Sequence, residues 1–438
     1  RSDTSPRVRR RPRIARHLMQ SRTACARSRP ANVYAAMMPN MATIPRLKPY
    51  AGPVLLSHGF RPFFLLGSIW AGIEVLAWLP MFYGKMSVAT AFSPRDWHVH
   101  ELLFGYVPAV VAGFLLTAVP NWTGRLPLQG LPLAGLVLVW LAGRYAVTLS
   151  TSIGWLGATL VDCAFLVLMA ATVAREIVAG RNWRNLKIVV LLCLLAAGNL
   201  GFHLEAHFEG LALYSTRLGM GLVLMLIMVI GGRIIPSFTR NWLMRRESGR
   251  LPTPFGDFDL FCLVLSGASL ALWVVVPEGW LTGVALSTAA VLNLVRLGRW
   301  AGHRTLSDRL VLVLHLGYAF VPLGFLLSGL SAFSIVAPSA GIHAWAAGAI
   351  GLMTLAVMSR ASLGHAGRAL VASPLLQAIY ASALIAALAR ICAVLDPEWG
   401  EGLLYVAASA WAAAFLGFSS LYAPLLCREL PILTRAPK

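Results

Sequence analysis

Apolar residues along this chain gather in blocks of about 20, the length that carries a helix across a hydrocarbon core of roughly 30 Å. Short breaks rich in Pro, Gly and Arg separate them. Twelve blocks are legible, over 62–84, 97–120, 128–149, 152–178, 186–206, 211–236, 258–277, 279–300, 309–332, 340–359, 374–395 and 401–426. In lipid a helix satisfies every backbone group within its own segment, and a spanning strand would need only about half that length. The pattern therefore predicts an all-α fold: a polytopic membrane helix bundle of about twelve transmembrane helices over residues 55–430, with a short tail over 431–438.

The loops carry a second pattern. Arg125, then Arg181, Arg184 and Lys187, then Arg240, Arg245, Arg246 and Arg250 fall in alternate connections. Arg304 and Arg309, Arg360 and Arg368, and the tail residues Arg428, Arg435 and Lys438 continue the series. The intervening loops hold little beyond Lys85 and Arg95. Under the positive-inside rule this alternation places both termini on the cytoplasmic side. Polar exits also recur every four helices: Pro120-Asn121-Trp122-Thr123 after the second span, Pro236-Ser237-Phe238-Thr239 after the sixth, Ser359-Arg360-Ala361-Ser362 after the tenth. They suggest three four-helix repeats, as membrane proteins often contain, although Pro, Ser and Thr are common at any helix end.

Composition agrees with lipid as the solvent. Only 12% of residues are charged, half of the roughly 25% that coats a soluble fold. The formal charge of +20 could be mistaken for a nucleic-acid signature, but its distribution argues for no nucleic-acid partner. Residues 1–50 hold 12 Lys/Arg against Asp3 alone, leaving 25 basic and 16 acidic residues for the rest. That opening, rich in Arg, Ser and Pro and without apolar periodicity, reads as a basic, disordered extension. It starts on Arg1, with Met41 shortly before the first span, so an over-extended or truncated start is expected; no signal-peptide core precedes that span. The six cysteines are scattered without a CxxC pair, and those within spans read as small core hydrophobes.

Candidate chemistry lies in the histidines. With that orientation His98, His100, His203, His207 and His343 all fall near the outer face, while His58, His303 and His365 fall near the inner one. His203 and His207 are four apart, so on a helix they share a face, as two metal ligands from one helix must. His98 and Glu101 are three apart and share one too, whereas His100 points nearly opposite His98. Those two histidines can serve one metal only if the helix starts after His98; otherwise they serve two sites. Imidazole suits copper, zinc and haem iron. The competing role, anchoring helix ends among headgroups, suits any single interfacial histidine. Five on one face of so apolar a chain point toward a site.

Charges inside spans should face the bundle interior and pair. Glu74 and Asp162 lie mid-span, and Arg144, Arg217 and Arg390 lie toward the outer ends of theirs. A proton path, counter-charges for haem propionates and structural ion pairs are the roles open to them, with a structural role favoured for Asp162. Met220, Met225 and Met228 line part of the sixth span, where thioethers either pack or bind Cu(I). The chain has no P-loop, nucleophile elbow, HExxH or dinucleotide fingerprint, which removes hydrolase and ATP-driven readings.

Several blocks carry a family resemblance. Gly59-Phe60-Arg61-Pro62-Phe63-Phe64, DWHVHELLFGYVPAVVAGFLLTAVPNWTGRLPLQG at 96–130 and LAGR at 141–144 resemble NnrS proteins. So do NWRNLK at 182–187, GGRIIPSFTRNWL at 231–243 and HAWAAGAIGLMTLAVMSRASLGHAGR at 343–368. The similarity runs from about residue 55 to the C-terminus. It implies a haem- and copper-containing protein of the bacterial inner (cytoplasmic) membrane, tied to nitric oxide and nitrosative stress, with no settled catalytic reaction. The matching blocks contain His98, His100, Glu101, His343 and His365; His203 and His207 come from spacing alone. The expected metal ligands are thus His98, His100, Glu101, His203, His207 and His343, with Arg144 or Arg217 beside propionates. The expected partners are nitric oxide, or a related small neutral ligand, and membrane lipid. A proton-coupled secondary transporter is the alternative, since twelve helices with Glu74 and Asp162 inside fit one, and a scaffold for metalloenzymes is the third. Oligomeric state and haem type stay open.

Overall fold

In the computed structural model, residue 2 and residues 50–246 and 249–428 are described. The expected extension over 1–50, apart from Ser2 and Tyr50, and the tail over 431–438 lie outside the described residues. Twelve helices are long and apolar enough to cross a membrane. They are α1 (Phe60–Phe82), α2 (Pro94–Thr123), α3 (Leu131–Thr148), α4 (Trp155–Ala179), α5 (Trp183–Phe208) and α6 (Tyr214–Leu243). The second half comprises α7 (Asp257–Val275), α8 (Trp280–Gly298), α9 (Arg309–Ala332), α10 (Pro338–His365), α11 (Pro374–Leu395) and α12 (Gly400–Cys427). No strand occurs among the described residues, as backbone satisfaction within lipid requires.

Local chemistry sets the helix ends. Ser93 caps α2 by accepting from the Asp96 amide, with Pro94 in the first turn. Asp308 caps α9 through the Leu310 and Val311 amides, and Ser373 caps α11 through Leu376 N–H ahead of Pro374. Such oxygens satisfy amides that the first turn leaves without helical partners, and proline costs nothing there because it lacks one. Gly124 ends α2 in the left-handed region at φ 72°, where glycine carries no Cβ penalty.

Packing order repeats along the chain. Helix α1 packs on α12, α5 on α4 and α9 on α8, while α2, α6 and α10 meet one another at the centre. Helices α2 and α10 depart from α-geometry in the same way: a π-helical stretch, Glu101–Tyr106 in α2 and Ala344–Ile350 in α10, begins directly after a histidine. Such wide turns are concentrated at functional sites. Helix α6 is α-helical throughout.

Two buried arginines reach across the bundle past glycines. Arg296 on α8 donates to Asp259 Oδ1 (2.9 Å), the Met228 carbonyl (3.1 Å) and Tyr318 Oη (2.9 Å). A Cβ at Gly232 on α6 would meet its guanidinium. Three hydrogen bonds hold that guanidinium, so it cannot swing aside as a free arginine tip would. Helix propensity alone would favour alanine by about 1 kcal/mol, whereas overpacking costs about 1–3 kcal/mol. Gly232→Ala is therefore expected to lower the melting temperature in detergent. Gly135→Ala on α3, where a Cβ meets open space, is expected to raise it.

Candidate functional site

The first turn of α2 carries two histidines in opposite directions. Because the helix begins at Pro94, before His98, the two rings serve two places. His98 turns toward α1, where its Nδ1 lies 2.8 Å from Glu74 Oε1 and its ring stacks on Trp78 at 4.1 Å. His100 turns toward α4 and α5. Glu101, three residues after His98, does not share its environment: the wide turn starting at Glu101 shifts the register, and its carboxylate faces His100 and Arg144.

His98 lines a cavity of about 480 Å³. Across it stands His343, the last residue before the wide turn of α10. His343 Nδ1 donates to the Ser339 carbonyl at 2.7 Å. Each ring thus has its Nδ1 anchored, by a carboxylate on one side and a carbonyl on the other. Nε2 is the nitrogen each has left for the cavity. Arg95 and Arg390 also line it, and the remaining wall is almost wholly apolar, including Val75, Met220, Ile342 and Trp411. Glu74 is fully buried, and its Oε2 has no protein partner.

The second place is a polar knot among α2, α3, α4 and α5. Arg144 donates to both Glu101 oxygens at 2.8 Å and pairs with Asp162 Oδ1. Asp162 Oδ2 accepts from Asn199 Nδ2 at 2.7 Å and faces His203 Nε2 at 3.1 Å and His100 Nε2 at 3.2 Å. His100 Nε2 also faces Asn199 Oδ1 at 3.0 Å, and its Nδ1 faces Glu101 Oε1 at 3.1 Å. All six side chains are buried, and Phe92, Phe104 and Phe202 surround the His100 ring. Gly105 inside the wide turn makes room for Arg144, because a Cβ there would meet its guanidinium.

The structure places the other expected residues elsewhere. His207 shares the helical face of His203 by spacing but is exposed at the end of α5 and stacks on Trp155 at 4.1 Å. Arg217 lies over the Tyr214 ring and donates to the Val274 carbonyl at 3.1 Å. Arg144 is committed to Glu101 and Asp162, and the guanidinium groups at the cavity belong to Arg95 and Arg390. His365 stacks on Phe60 near His58. Of the three methionines, Met220 reaches the cavity. The five cysteines among the described residues are free thiols.

Sequence reasoning passed over Asn199 and Trp78. Asn199 was findable, since it lies four residues before His203 and so shares its face. Trp78 was equally within reach, four residues after Glu74 on α1.

No curated protein and no solved structure matches the chain. The family model for NnrS protein matches residues 54–429, taking in every helix that forms the cavity and the polar knot. With nearly all of the described fold inside that match, the chain belongs to the NnrS family.

Proposed function

We propose that this protein is a haem- and copper-binding membrane protein of the bacterial inner membrane, both termini cytoplasmic, that protects against or responds to nitric oxide and nitrosative stress. Family membership supports the association of a membrane protein with the nitric oxide response. The cofactors and the residues that would hold them are part of the proposal. The observation that carries it is the cavity between α2 and α10, with one imidazole on each side and two arginines in an otherwise apolar wall.

The residues fit a haem on four counts. The volume of about 480 Å³ falls in the range of roughly 300–1,000 Å³ that cofactor sites occupy. An Nδ1-anchored imidazole presenting Nε2 is the form in which histidine binds metal, since the second hydrogen bond fixes tautomer and ring angle. Arg95 and Arg390 supply positive charge for carboxylate substituents. The apolar remainder suits a macrocycle. A haem held there by His98 and His343 would supply an iron able to bind nitric oxide.

The chain's own contribution is orientation and exclusion. Glu74 holds His98 from behind, strengthening its donor nitrogen, while the Ser339 carbonyl does less for His343. Leu102, Ala346 and Ala347 add apolar surface to the cavity wall, which offers water no hydrogen-bond partner. Nitric oxide is small and neutral, dissolves in lipid and can arrive through the bilayer, so the apolar lining is no barrier to it. Copper, the second expected cofactor, also calls for imidazole, and His98, His100, His203 and His343 are the rings buried or half-buried near this face.

The test is one optical spectrum of the purified protein, taken anaerobically with and without nitric oxide. A Soret band that shifts on adding the gas is expected. Colourless protein would overturn the reading. Substrate-dependent proton uptake lost in Glu74→Gln would then point to the transporter.

A further inference from the structure

The polar knot beside the cavity contains a second set of donors, independent of His98 and His343. Among the described residues, His100, Asp162 and His203 bring one donor atom each to within 4.8 Å of the others. Both imidazole Nε2 atoms converge on the same carboxylate oxygen, at 3.2 and 3.1 Å. Two ligands at the usual metal–nitrogen distance in tetrahedral geometry stand about 3.3 Å apart, so these contacts need to move very little around an ion.

Charge counting narrows which ion this could be. The charged groups facing one another are Glu101 on α2, Arg144 on α3 and Asp162 on α4. Two carboxylates against one guanidinium leave one negative charge uncompensated. His100 Nε2 meanwhile faces only acceptors, Asp162 Oδ2 and Asn199 Oδ1. One positive charge between the two rings and Asp162 balances the knot, whereas two would leave an excess positive charge buried beside Arg144. A buried uncompensated charge costs several kcal/mol. A proton answers this count, and so does a monovalent metal ion. Two imidazoles suit a soft or borderline ion rather than an alkali metal.

We infer that His100, His203 and Asp162 form a site for one monovalent soft metal ion, Cu(I) in chemical class, on the side of α2 opposite the haem cavity. Arg144 sets its charge preference as a positioning residue, holding Asp162 Oδ1 so that Oδ2 faces the rings. The inference rests on the metal-binding part of the proposed function. The backs of the two sites stay apart: His98 leans on Glu74, and His100 on Glu101.

Anaerobic titration of the full chain in nanodiscs with Cu(I), against a chromophoric Cu(I) chelator, tests this. One tightly held equivalent per chain is expected. His203→Gln and Asp162→Asn should each weaken it by about 100-fold or more, since even residues behind a ligand are worth about 10–100-fold. His207→Ala, at the exposed end of α5, should leave Cu(I) binding unchanged, and Zn(II) should not displace it. His203→Gln removes only one hydrogen-bonding contact of the network, and an unchanged elution profile with unchanged helical circular dichroism certifies its fold. Equal Cu(I) affinity in wild type and both variants would overturn the inference, as would no bound Cu(I) or displacement by Zn(II). Because the Soret band reads the cavity and the chelator reads the knot, failure of the haem reading leaves the copper result interpretable, and the reverse holds too.

Discussion

Arg144→Leu is expected to destabilise the bundle by about 3–5 kcal/mol, the cost of removing one partner from a buried ion pair. The side chain touches Glu101 through two hydrogen bonds and Asp162 through a third. Leucine fills much of the space but leaves two carboxylates facing each other away from water. Thermal unfolding in detergent reads the loss, with the yield of monodisperse protein as a second measure. Removing the stranded charges as well, in Glu101→Gln/Arg144→Leu/Asp162→Asn, should recover more than half of the loss, because a fully neutral set pays no ionic desolvation. A single variant within about 1 kcal/mol of wild type, the worth of a solvated surface pair, would mean that water reaches this knot.

The second large effect concerns the cavity. His98→Ala and His343→Ala are each expected to reduce bound haem by at least about tenfold, judged against the 10–100-fold worth of residues that only support a ligand. Glu74→Gln keeps a hydrogen-bonding side chain behind His98 but removes its charge, so it should retain haem with a shifted midpoint potential. His207→Ala is the control: its ring lies against Trp155 at the exposed end of α5, and the spectrum should not change. Retention of a normal spectrum in both His98→Ala and His343→Ala would remove these rings from the haem. Loss in His207→Ala would move the site to the surface.

The helices were legible because hydropathy is a property of each segment alone. The ninth and eleventh spans coincide with α9 and α11, at 309–332 and 374–395. The sixth was expected to end at 236, and α6 runs on to Leu243. Arg233, Ser237, Thr239 and Arg240 lower the local hydropathy there, yet long arginine stems keep their heads wet while the helix continues. Side-chain destinations were harder. That His98 and His100 diverge follows from helical geometry once Pro94 is known to start the helix. That His100 meets His203 and Asp162, a contact spanning 103 residues along the chain for the ion-knot partner on α5, depends on how α2, α4 and α5 rotate against one another. No local spacing encodes that. The same holds for His203 and His207: periodicity gives both one stripe, but only the inner turn of α5 is covered by a neighbour.

The wide turns in α2 and α10 have a geometric consequence for the whole molecule. In an unbroken α-helix each added residue swings everything beyond it by about 100°, so the azimuth of the upper end dictates that of the lower. A π-helical stretch absorbs that swing locally. The histidine-bearing tip of α2 can therefore aim at its ligands while the lower half keeps the phase that seats Val110 and Leu115 in the core. Since α6 has no such stretch, it serves as the fixed spindle against which the two jointed helices are indexed.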